Sequence, residues 1–143
     1  MIELREQGEI PRPAGEVWAI VADYGRDPSW RRGVETMDPK PAGIVQVGTT
    51  TAEVMRFAGR TYRNGGEVVM VDPGRAFAWR TTSGIDAEGG RFVEPLDEGR
   101  TLFTFHVRIR TRGVESVVAP VLRWLLRRAI RADIRRLVNQ CDS

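Results

Sequence analysis

Residues 101–110, TLFTFHVRIR, and residues 121–141, VLRWLLRRAIRADIRRLVNQC, decide the fold. In the first stretch Phe103, Phe105, Val107 and Ile109 share one face, while Thr104, His106, Arg108 and Arg110 share the other. That period-two alternation describes a strand with one dry side and one wet side. Something must cover the dry side, and the second stretch supplies it. Val118, Leu122, Leu126, Ile130 and Ile134 step by four; Val121, Leu125 and Ala129 widen the stripe early, and Leu137 and Val138 widen it late. Arg123, Arg127, Arg131 and Arg135 form a charged ridge on another side, so the periodicity is helical. Pro120 is tolerated near the start of such a helix. A helix of roughly 20–25 residues is about 30–38 Å long, enough to run along the whole concave face of a sheet.

The preceding chain reads as the rest of that sheet. In residues 2–10, IELREQGEI, Ile2, Leu4 and Ile10 share an apolar face that also receives Glu6 and Gly8. Pro11 and Pro13 end this strand, and a helix begins near Ala14 with Val17, Trp18, Ile20, Val21 and Tyr24 on its buried side. Gly25 closes it, and Asp27-Pro28 reads as the cap and first position of a second, very short helix containing Trp30. Strands are expected over residues 34–37, 48–57, 61–71 and 76–82, around Phe92 and Val93, and over 101–110. Ala58-Gly59-Arg60, Asp72-Pro73-Gly74 and Asp97-Glu98-Gly99 are the turn signals between them, and residues 39–43 read as a loop. Hairpins in series without a βαβ unit predict an α+β fold. A curved antiparallel sheet wraps a long C-terminal helix, with two short helices near the N-terminus and one domain over residues 1–143.

A chain of 143 residues, 41% hydrophobic and 29% charged, can bury a core without staples and has the balance of a globular protein. The opening MIELREQGEIPRP alternates and carries early charges, so it is not read as a signal peptide. No apolar run approaches the roughly 18 residues that span a bilayer. Cys141 is the one cysteine, which excludes an internal disulfide and a zinc knuckle. A cytoplasmic location follows by default. Lys40 is the one lysine, and the arginine bias is read as coding composition rather than as the mark of an anionic partner.

A long amphipathic helix gripped by a curved sheet rarely fills the space between them, so a pocket is expected there. Its candidate ligand-binding residues are Trp30, Met55, Phe57, Tyr62, Asn64, Phe77, Trp79, Phe92, Phe103 and Phe105, with Leu122 and Leu126 from the helix. Aromatics fill cores as readily as they line pockets, so about half are expected on the cavity wall. Between residues 49 and 71 the pattern leaves open which parity faces inward. Two carboxylates are candidates for proton transfer. Glu6 falls on the apolar face of its strand, where an unpaired carboxyl would hold its proton more tightly, but the favoured readings are that it pairs with an arginine, lies at the sheet edge or sits past a local bulge that Gly8 would permit. Glu53 shares its parity with Thr51, Met55 and Phe57. His106 lies on the wet face, Lys40 between two prolines and Cys141 near the end of the chain, so none is assigned catalysis.

The pieces also resemble the START-like superfamily, in particular the polyketide cyclase/dehydrase and lipid-transport group. The resemblance rests on residues 10–18, IPRPAGEVW, then Asp27-Pro28-Ser29-Trp30 and Val47-Gly48-Thr49. Val71-Asp72-Pro73 before Phe77-Ala78-Trp79 and residues 97–101, DEGRT, continue the series, and Ala119-Pro120 leading into the Arg/Leu-rich terminal segment completes it. It implies a helix-grip fold with one deep cavity, and binding of lipids, polyketides or other aromatic metabolites. It carries no shared catalytic motif.

The expectation is therefore a protein that holds a small hydrophobic or aromatic molecule, acting as monomer or homodimer with no metal and no cofactor. The alternative is a cyclase or dehydratase using the same cavity, with Glu6, Glu53, Tyr62 or Asn64 moving protons and orienting the substrate. A protein-interaction component is a third class, and it predicts a filled cavity beside an exposed apolar patch. Nucleic acid is not expected, because the strands mix Arg with Glu and Thr and offer no reading element. Stable membrane insertion is not expected either, because the helix needs its apolar face for the core.

Overall fold

The structure is a computed structural model that describes residues 1–142, apart from the side chains of Val114 and Glu115. The strands are β1 (Ile2–Ile10), β2 (Val34–Lys40), β3 (Thr50–Phe57), β4 (Arg60–Asp72), β5 (Ala76–Ser83), β6 (Ala87–Asp97) and β7 (Arg100–Ile109). They form one seven-stranded sheet in the order β1-β7-β6-β5-β4-β3-β2, antiparallel throughout. The one long crossover joins the two edges. It carries α1 (Ala14–Val21), a single 3-10 turn at Tyr24–Arg26 and α2 (Asp27–Trp30). After β7 come α3 (Val114–Val117) and α4 (Ala119–Cys141).

Local chemistry explains where these elements begin and end. The β3–β4 hairpin turns on Ala58 and Gly59, both at positive φ (51° and 78°), the pair of left-handed residues that a two-residue hairpin needs. At the β6–β7 turn the Asp97 carboxylate accepts from the Gly99 amide at 2.9 Å and from Arg100 Nε at 2.9 Å. Register shifts in β4, at Gly65/Gly66 and at Val68/Met70, bend the strand and help curl the sheet.

Two expectations shift. α1 ends at Val21 rather than at Gly25, because the Asp23 carboxylate accepts from the Gly25 amide at 3.0 Å and starts the separate 3-10 turn. Pro39 and Lys40 belong to β2, paired with Thr51 and Thr50, instead of to a loop. The terminal helix starts where Pro120 permits: Pro120 has no amide to donate, and α4 opens with Leu122 donating to the Val118 carbonyl at 3.0 Å.

The helices cover the concave face unevenly. α1 buries Val17 and Val21, and Trp18 and Tyr24 meet the edge of the Phe77 ring at centroid distances of 6.1 and 5.6 Å. α2 sets Trp30 edge-on to Phe103 and Phe105 at 5.8 and 6.5 Å. α4 is 23 residues long, but only its later turns are fully buried, through Ile130, Ile134, Leu137 and Cys141. These turns pack on β1, where Ile134 sits so close over Gly8 that a Cβ there would collide with Ile134 Cγ2. Instead of sealing the concave face, α4 leaves its first half standing over a gap.

Candidate ligand-binding cavity

The gap is a partly enclosed cavity of about 500 Å³ between the sheet and α4, within the roughly 300–1,000 Å³ usual for small-molecule sites. β3 and β4 settle the question of parity: Thr51, Glu53, Met55 and Phe57 all face the cavity, joined by Tyr62 and Asn64 of β4. Trp79 of β5 extends this wall, and Phe105, Val107 and Ile109 of β7 form the other. Leu122, Leu126 and Ile130 of α4 close it from above. Trp79 can lie against the sheet because its cross-strand partner is Gly89. A Cβ at Gly89 would come within 2.8 Å of Trp79 Cζ2 and would strike the His106 carbonyl oxygen.

One end of the cavity is polar, and it is built on a buried ion pair. Arg91, 1% exposed, points inward from β6 between Gly89 and Val93. Its Nη1 and Nη2 donate to the two oxygens of Asp27 at 2.9 and 2.6 Å, and Nη1 also donates to the Val21 carbonyl at 2.9 Å. The guanidinium lies 4.8–5.6 Å from the ring centroids of Tyr24, Trp30, Phe77 and Phe105. Arg31 Nη1 donates to Asp27 Oδ2 at 2.9 Å and to Glu53 Oε2 at 3.0 Å. Asn64 Nδ2 donates to Glu53 Oε1 at 3.1 Å, and Asn64 Oδ1 accepts from the Ile85 amide at 3.0 Å. Cations and anions thus alternate from β6 through α2 to β3, and each charge is neutralised by the next.

Arg31 and Tyr24, both on the cavity wall, carry donors with no partner among the described residues. Arg31 lines it with Nε and Nη2 free of hydrogen bonds to the described residues. Burial works against the Arg31 charge, but Glu53 and Asp27 outweigh it and hold the guanidinium protonated. The Tyr24 hydroxyl also lines the cavity and makes no hydrogen bond to the described residues. Burial pushes its phenol well above the ordinary range, so it stays a neutral donor. Asp133 of α4 stands nearby, accepting from Arg136 and from the Arg32 amide at 3.3 Å. Burial raises the Asp133 carboxyl above its ordinary value, with Arg31 and Arg136 opposing.

Of the candidate residues, Met55, Phe57, Tyr62, Asn64, Trp79, Phe105, Leu122, Leu126 and Glu53 stand on the cavity wall. Trp30, Phe77 and Phe103 do not: α1 and α2 reach far enough over the sheet to make all three fully buried core. Phe92 is on the opposite face of the sheet, under the Arg5 guanidinium at 5.7 Å, because Arg91 and Val93 take the inward positions of β6. Glu6 is buried but away from the cavity, paired beneath α4 with Arg131 at 3.0 Å and Arg127 at 3.5 Å. His106 lies on the outer face 3.4 Å from Glu3. Among the described residues no cluster has the makings of a metal site.

Sequence reasoning missed Tyr24, Arg31, Arg91 and Asp133 as cavity residues. The available signal was parity: in residues 87–93, AEGGRFV, Arg91 shares its face with Val93, a charge on the dry side that demands a partner.

The sequence profile described as polyketide cyclase / dehydrase and lipid transport matches residues 1–142. The chain belongs to that family. Solved structures agree on the fold. The Zhui aromatase/cyclase from Streptomyces sp. R1128 superposes with a TM-score of 0.78 at 17% identity, over 98% of this chain and 93% of that one. A START superfamily protein from Mycobacterium smegmatis gives 0.78 at 13% identity, over 98% and 97%. The major latex-like protein 151 of Panax ginseng gives 0.75 at 14%, over 97% and 96%. At these identities the likeness concerns the fold alone. No curated protein sequence matches the chain. As a polyketide cyclase/dehydrase and lipid transport family member with a START-like helix-grip fold, the protein has its cavity where the fold opens between sheet and terminal helix.

Proposed function

We propose that the protein binds a small hydrophobic or aromatic molecule, lipid-like or polyketide-like, in the cavity between the sheet and α4. The observation that carries this reading is the division of the cavity: apolar walls along most of its length and, at one end, two unpartnered donors on Tyr24 and Arg31. Apolar walls reward burial of rings or chains at about 25 cal/mol per Å². The donors select a ligand that places an oxygen acceptor at that end. Because Asp27 and Glu53 already balance the charges of Arg91 and Arg31, a neutral carbonyl suits the site better than a full anion.

The test compares a two-ring ketone, 1-tetralone, with the hydrocarbon tetralin by calorimetric titration. The ketone binds more tightly by about tenfold, and Tyr24→Phe removes about fivefold of that advantage, the value of one or two hydrogen bonds from buried donors. Equal binding of ketone and hydrocarbon contradicts the assignment of the polar end.

An enzymatic reading, a cyclase or dehydratase, rests on Asp133, a carboxyl on the cavity wall that burial keeps closer to protonation than an ordinary aspartate. Together with Glu53 and the Tyr24 phenol it forms the set that proton transfer at an enolisable ketone requires. In deuterium oxide the protein then accelerates exchange of the α-hydrogens of 1-tetralone, and Asp133→Asn or Glu53→Gln abolishes the acceleration. Tight binding with no acceleration rejects the enzymatic reading and retains the binding one.

A further inference from the structure

The chain from the end of α3 into the first turns of α4 is apolar on its outer side as well as on the side that faces the cavity. Residues 117–126, VVAPVLRWLL, contain one charged side chain, Arg123. Leu122 and Leu126 face the cavity, yet Val117, Val118, Val121 and Trp124 are 82%, 47%, 60% and 57% exposed. An apolar outer face belongs in a covered environment, and this one stands in water with the Trp124 indole exposed on it. The next turns of the same outer side are basic. Arg128 and Arg135, about 40° and 20° from Trp124 around the helix axis, are exposed and make no ion pair with the described residues, and Arg128 lies 5.3 Å from the Trp124 ring centroid. Between residues 117 and 136 there are six arginines and one acid, Asp133, which faces the cavity.

We propose that this face docks on an anionic lipid surface, with Val121 and Trp124 entering the headgroup boundary and Arg128 and Arg135 meeting lipid phosphates. The charges decide between occupants. A second copy of the chain laid on the same face would set arginine against arginine, whereas an anionic bilayer neutralises the row. Tryptophan and arginine beside a short apolar surface form the pattern of a helix lying in a membrane interface. No described helix is long and apolar enough to cross a membrane, so the contact is superficial. Leu122 and Leu126 on the reverse of these turns line the cavity, so docking brings the cavity roof to the lipid. The proposal stands on the exposed face and holds whether or not the ligand assignment does.

Pelleting with vesicles tests it. The protein sediments with phosphatidylcholine/phosphatidylglycerol vesicles at low salt and stays in solution with phosphatidylcholine alone. Arg128→Gln combined with Arg135→Gln weakens the binding at least about tenfold, as loss of two interfacial charges requires. Val121→Glu combined with Trp124→Glu abolishes it while the thermal melt stays that of the wild type. A second readout is independent of these variants: bromine-labelled lipid quenches tryptophan emission in the wild type, and Trp124→Phe removes the quenching while sedimentation persists. Failure to sediment at low salt, sedimentation unchanged by the glutamates, or a dimer in solution that the glutamates dissociate would each overturn the proposal.

Discussion

Asp27→Ala lowers the stability of the protein by about 3–5 kcal/mol, the cost of leaving a buried guanidinium without its carboxylate. Asp27 is fully buried and serves two cations at once, Arg91 through both oxygens and Arg31 through one. Removing it strands Arg91 beneath four aromatic rings, with a single remaining acceptor at the Val21 carbonyl. Arg91→Met costs less, about 2–3 kcal/mol, because Arg31 still neutralises Asp27. Combining Arg91→Met with Asp27→Ala costs less than the sum, since neither charge is then left alone. Urea unfolding monitored by tryptophan emission checks all three through the midpoint at unchanged slope. A midpoint for Asp27→Ala equal to that of the wild type would show that the pair does not hold α2 to the sheet.

The second large effect comes from filling the cavity. Ala129 and Leu126 both line it from α4 and are only partly buried. Ala129→Trp combined with Leu126→Trp places two indoles in space that is otherwise open, so stability changes by no more than about 1–2 kcal/mol. Ligand and indoles cannot share the volume, and affinity for aromatic ketones falls by about tenfold to a hundredfold. Calorimetric titration beside an unfolding curve separates the two effects. Unimpaired binding in a folded double variant would place the ligand elsewhere on the surface.

How much of this was legible in the sequence follows from how local each cause is. The alternation in residues 101–110 and the four-residue step of the terminal helix are local, and they identified the dry face of β7 and the helix above it. The reach of the helices is not local. Phe103 and Phe105 are two residues apart on that dry face and Trp30 of α2 touches both, yet Phe103 is fully covered while Phe105 also reaches the cavity wall. No pattern within β7 encodes the length of α2. Phe92 was misplaced for a different reason, because aromatic character was weighed above parity, and the inward position belongs to Arg91. Glu6 did fall on the buried face, but what lies opposite is set by the azimuth of α4, which brings Arg127 and Arg131 over it. At the polar end of the cavity Glu53 and Asn64 were candidates from sequence and parity marked Arg91, but which of residues 24, 31, 53, 64 and 91 pair with one another is set by long-range contacts that leave no periodic trace.

The exposed half of α4 shows the same limit from the other side. Its pattern is helical and apolar, and from pattern alone it reads as core. Only the break at Val118 and the packing of the later turns on β1 reveal that these residues overhang the cavity.

The measurement that bears most directly on the central claim is methyl NMR of protein labelled with carbon-13 at its methionine methyl groups. Met37 and Met55 line the cavity, whereas Met1 and Met70 are exposed outside it. Titration with fused-ring ketones of two to four rings is predicted to shift the Met37 and Met55 signals saturably, through the ring currents of a bound aromatic. The Met1 and Met70 signals stay in place as internal controls. Shifts confined to Met1 or Met70, or no saturable shift at Met37 and Met55 with any of these ketones, would contradict the account.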